Sequence, residues 1–73
     1  MTNTALLKKK IDDSGFKRNY IAKMIGITAY GLSRKIRNES EFKASEIEKL
    51  CNLLGITDFE ERCAIFFASK VDF

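Results

Sequence analysis

Residues 16–38, FKRNYIAKMIGITAYGLSRKIRN, decide how this 73-residue chain folds. Ala22, Gly26, Leu32 and Ile36 stand in the pattern A-x3-G-x5-L-x3-I. This spacing predicts two short helices, over about 17–25 and 29–37, joined by a tight turn at Gly26. Ala22 is small enough to let a second helix approach. Ile27 is expected to plug inward, and Thr28 offers a hydroxyl to cap the helix that follows. Leu32 and Ile36, four apart, share one side of that helix. Arg34 falls nearly opposite them on a helical wheel, with Tyr30 and Arg37 flanking it and Ser33 to one side.

Working outward, residues 3–14 predict a first helix with Leu6, Leu7 and Ile11 as its apolar stripe. Ser14-Gly15 ends it, since glycine accepts the left-handed conformation that follows a helix. Phe16 reads as a buried staple, and Tyr20, Ile21, Met24 and Ile25 recur as core positions of the second helix. Residues 38–41 form a polar loop before Phe42 returns to the core. A fourth helix is expected over 44–54, with Ile47, Leu50, Cys51 and Leu54 inward and Gly55 stopping it. Thr57-Asp58-Phe59-Glu60 matches a capping box, S/T-x-x-E. It would open a fifth helix through about residue 68, containing Phe59, Cys63, Phe66 and Phe67, before a short tail. No segment alternates as a strand would, so the expectation is an all-α, five-helix single domain spanning residues 1–73.

Composition narrows the function. Apolar residues make up 45% of the chain, there is no Pro, and no stretch approaches the roughly 20 apolar residues that cross a bilayer. Lys8-Lys9-Lys10 breaks any apolar run near the start, so a secretory signal is not expected and the cytoplasm is the default. Cys51 and Cys63 then read as small core hydrophobes in a reducing compartment rather than a disulfide. With no His and two widely spaced Cys, no metal site is expected. No cofactor motif is present either. The carboxylates Glu46, Glu48, Glu60 and Glu61 read as helix-surface charge, which leaves nothing to carry catalysis.

The net charge of +3 hides an asymmetry. Residues 1–38 hold nine of the thirteen cations against only Asp12 and Asp13, whereas residues 39–73 hold four cations and eight acids. A polyanion is drawn to the first half and repelled by the second.

The A-x3-G-x5-L-x3-I pattern with helices on both sides resembles the helix-turn-helix of the phage repressor and Cro family. The following NESEFKASEIEKLCNLLGI resembles that family's fourth helix, so the likeness covers most of residues 5–56. LSRKIRNESEF resembles a subgroup of small bacteriophage regulators, Cro-like repressors and modulators of repression acting at the lysis–lysogeny decision. The resemblance implies a lambda-repressor-like fold and binding to double-stranded operator DNA. Carried over residue by residue, it implies DNA contacts at Lys17 and Arg18 and at Thr28, Ala29, Tyr30, Ser33 and Arg34. Arg37 and Asn38 would lie where the chain passes a phosphate. Arg34 is the expected base reader, because a guanidinium grips guanine O6 and N7 together. Lys17, Arg18, Thr28 and Arg37 would set register on the backbone, and Lys35 would add field at the helix side. Three positions depart from the family pattern: Ala29-Tyr30 replaces a frequent polar pair, Gly31 lies in the first turn of the helix, and Lys35 stands where an apolar residue is common.

Two functional classes follow. The first is a DNA-binding regulator working as a homodimer through Phe66, Phe67, Val71 and Phe73, since two-fold pairing places two reading helices one turn of DNA apart. The second is an antirepressor on the same scaffold. It would bind a phage repressor in a heterocomplex, using the Ala29-Tyr30-Gly31 face or the Phe-rich end.

Overall fold

A computed structural model describes residues 1–68. Five helices follow in order: α1 Thr4–Ser14, α2 Arg18–Ile25, α3 Ala29–Ile36, α4 Ala44–Leu54 and α5 Phe59–Phe66. No strand occurs among the described residues. The architecture is the all-α, lambda-repressor-like arrangement expected from the sequence. α2 packs on α3 and α4, while α1 reaches α3, α4 and α5. Leu7, Ile21, Leu32, Ile36, Leu50, Cys51, Ile56 and Ile65 form a fully buried centre.

The corner between α2 and α3 is built by the backbone. Gly26 sits at φ +85°, a left-handed conformation that costs a residue with a Cβ about 1–2 kcal/mol. There the Ile27 N–H donates to Ala22 O at 2.9 Å, closing the end of α2. Ile27 packs against the core as expected. Thr28 Oγ1 accepts the Gly31 N–H at 2.9 Å and so caps α3. Leu32 and Ile36 then pin α3 to the core, leaving its opposite side in water.

Several expectations are corrected. Phe16, Tyr20 and Met24 lie outside the core, with Phe16 38% exposed. Ile21, Ala22 and Ile25 already occupy the inward arc of α2, and Tyr20 and Met24 lie roughly 100° or more round the helix from the middle of that arc. Phe16 instead meets Tyr20, with ring centroids 5.2 Å apart and planes tilted by 40°. Leu6 is likewise exposed, leaving Leu7 and Ile11 to hold α1. α5 is capped one residue later than expected: Asp58, not Thr57, accepts the Glu61 N–H, and a carboxylate outcompetes a hydroxyl beside a positive helix end. Phe59 is exposed as a result, and α5 ends at Phe66 rather than near residue 68. Ile56 and Ile65, not anticipated as core, are buried. Cys51 and Cys63 are free thiols, and burial pushes the Cys51 thiol up despite the opposing charge and hydrogen bond of Arg62.

Candidate nucleic-acid interface

The outward side of α3 carries Tyr30, Arg34 and Arg37, with Ser33 half-buried at its edge and Ala29 exposed at its start. Tyr30 is 71% exposed, too much for a core-edge aromatic. Lys17 stands as the cap residue of α2 and Arg18 opens its first turn. Neither α2 nor α3 has an acidic residue in its first turn, whereas α4 has Glu46 and α5 has Glu60 and Glu61. The positive ends of the two helices thus carry no first-turn acid, as is also true of α1, which suits contact with phosphate.

Gly31 has a local explanation. A Cβ added there would stand 3.1 Å from Thr28 Oγ1, crowding the hydroxyl that caps α3. The propensity lost by glycine is thus offset by an undisturbed cap.

The two arginines share one acid. Arg37 Nε donates to Glu39 Oε2 at 2.8 Å, and Arg34 Nε lies 3.8 Å from Glu39 Oε1. Asn38 precedes this acid at φ +63°, a left-handed position that Asn tolerates better than other non-glycine residues. Its amide is engaged within the protein. Oδ1 accepts the Thr2 N–H at 2.8 Å, while Nδ2 donates to Thr2 O at 2.7 Å. Thr4 Oγ1 donates to Ile36 O at 2.6 Å, so the N-terminal segment clamps the end of α3.

Lys35 does not add to the outward field. Its ammonium pairs with the Glu46 carboxylate in the groove between α3 and α4, the two side chains only 12% and 9% exposed. Glu46 is accordingly buried rather than surface charge. It also accepts the Lys43 backbone N–H at 2.9 Å. Burial alone would raise its pKa. The Lys35 hydrogen bond, the Lys43 N–H and both ammonium charges together hold it below the ordinary value. The sequence did contain a clue: Lys35 occupies a slot more often apolar, and a cation turned inward requires an acid on the packing helix.

The expected partner surface is only partly present. Phe66 is 3% exposed and meets the Phe42 ring edge-on at 5.6 Å, so it finishes the core and is not free for association. Phe67 is 58% exposed. It borders a cleft of about 350 Å³ that Met1, Thr2, Asn38 and Phe42 also line. Val71 and Phe73 lie outside the described residues. Lys8 is exposed, Lys9 pairs with Asp13, and Lys10 pairs with Glu61 at 2.8 Å.

A short helix held by Leu32 and Ile36 at a glycine corner, with arginines on its free side, defines a helix-turn-helix nucleic-acid-binding domain. The chain belongs to the Cro/C1-type HTH DNA-binding domain family, whose match runs over residues 6–61. It is therefore a DNA-binding regulator of transcription. Comparison with curated proteins and with solved structures gave no match. No helix among the described residues is long and apolar enough to cross a membrane.

Proposed function

We propose that residues 1–73 act as one domain, a small bacteriophage-type repressor of the Cro kind that binds operator DNA in the cytoplasm and serves a lysis–lysogeny switch. The observation that carries this reading is the exposed outer side of α3, where Arg34 and Arg37 stand opposite the buried Leu32 and Ile36. Arg34 reads a guanine edge, and Tyr30 and Ser33 contribute beside it. Ala29 approaches the bases at the start of α3. Lys17, Arg18, Thr28 and Arg37 bind phosphates, and the Asn38 backbone passes close to one. A homodimer doubles this contact, and exposed Phe67 supplies part of its apolar surface.

The test is duplex binding by the purified protein alone across a salt series. With Lys17, Arg18 and Arg37 on phosphates, log affinity should fall against log salt with a slope of about −2.7 per protomer. Tyr30, prominent between Ala29 and Gly31, favours one other reading: an antirepressor that docks this face on a partner repressor. Under that reading no duplex is bound until a repressor is added.

A further inference from the structure

We propose that Glu39 is a positioning residue for base reading, holding Arg34 by one edge of its guanidinium so that the other edge is presented to DNA. The proposal rests on the DNA-binding reading of α3. Arg34 Nη2 donates to the Glu39 backbone oxygen at 3.4 Å, and Nε faces Glu39 Oε1 at 3.8 Å. Nε–H and one Nη2–H form the side edge of the guanidinium. One Nη1–H and the second Nη2–H form the end edge, which remains to fit guanine O6 and N7. No other hydrogen-bond or ion-pair partner of Arg34 occurs among the described residues. Arg37 takes the second carboxylate oxygen through Nε at 2.8 Å, and no partner of its terminal nitrogens occurs among the described residues.

The backbone builds this arrangement. The Glu39 N–H donates to Arg34 O at 2.8 Å, folding the chain back over the end of α3. Asn38, left-handed and tied to Thr2, fixes the turn that makes this possible. Glu39 is thus placed by the fold rather than by the wandering of a long side chain.

A carboxylate here has two opposite effects on binding. It repels phosphates, so it weakens complexes that rely on backbone contacts alone. Its pull on Nε also supports the Arg34 plane that the Glu39 backbone oxygen holds, so it strengthens complexes in which a guanine meets the free edge. Removing it should therefore move non-specific and specific affinity in different directions relative to each other.

The experiment compares the full chain with E39A and E39Q by fluorescence anisotropy on two duplexes. One is selected from a randomised pool by the unmodified protein, and the other is its scrambled counterpart. E39A should bind the scrambled duplex about three- to tenfold tighter, with a salt slope steeper by about 0.9. Its ratio of selected to scrambled affinity should fall about two- to fivefold, the scale of one exposed ion pair, since the Glu39 backbone oxygen still holds Nη2. In an R34A background the same change should leave the ratio unaltered. E39Q loses the charge but keeps an acceptor, so it should tighten scrambled binding while retaining more of the ratio than E39A. An equal gain on both duplexes would overturn the proposal, since Glu39 would then be a charge and nothing more. Unchanged binding would overturn it too. Failure of the unmodified chain to bind any duplex would instead refute the DNA reading and the proposal with it.

Discussion

The Lys35 ammonium and the Glu46 carboxylate meet in the groove between α3 and α4, both almost withdrawn from water. This pair fastens α3 to α4 behind it, at a position where an apolar contact would be simpler. The cation that sequence reasoning assigned to the DNA-facing field is consumed inside the fold. Taking two charges out of water is costly, and the cost is repaid only while both remain.

Removing one partner should therefore be worse than removing both. E46Q leaves Lys35 charged and almost buried, and should lower unfolding free energy by about 2 kcal/mol, less than for a fully enclosed pair. Replacing Lys35 and Glu46 together by Leu should recover most of that loss. Urea titration of the three proteins checks the ordering.

The pair also sets an acid limit. The folded state holds the Glu46 pKa below its unfolded value, so the associated stability is complete above the unfolded pKa. It is lost as pH falls through the lowered folded pKa. Stability of the unmodified protein should thus drop below about pH 4.5 more steeply than that of E46Q. Denaturant midpoints measured from pH 6 down to about pH 3 give the comparison.

Asn38 separates backbone from side-chain effects. N38G keeps the left-handed conformation and loses the amide tether to Thr2, at a cost of about 1 kcal/mol. N38A loses the tether and also strains the turn, for about 2 kcal/mol in all. Thermal or urea unfolding of the two variants should show Ala as the more damaging substitution, against ordinary helix preference.

On DNA, Arg34 and Lys17 should fail differently. R34A should relax preference at one base position per half-site, worth about 1–3 kcal/mol of discrimination. K17A should weaken all duplexes alike and reduce the salt slope by about 1. Selection from a randomised pool, repeated with each variant, reads both effects. An R34A protein with an unchanged consensus would reduce Arg34 to a phosphate contact.

The fold was readable because local signals agreed. Gly26, Thr28, Leu32 and Ile36 each specify one feature of the same corner, and Gly15 and Gly55 end α1 and α4 at the left-handed positions expected. What escaped was arrangement between elements. Tyr20 and Met24 share helical spacing with true core residues, and periodicity alone does not say which of two adjacent apolar stripes faces inward. The Lys35–Glu46 pair, the Asn38–Thr2 clamp and the Glu39 bridge to two arginines join residues whose meeting depends on how helices pack or how a turn folds back. Phe66 and Phe67, identical in sequence terms, divide between core and water for the same reason.

On the proposed reading, the free side of α3 meets DNA without help from another protein. Titration of the ¹⁵N-labelled chain with its selected duplex, followed by amide chemical shifts, tests it most directly. The expected result is perturbation concentrated at residues 17–18 and 28–38, with the outward Glu48, Lys49 and Asn52 of α4 unmoved. Shifts confined to the end of α5, or none until a repressor is added, would rule this contact out.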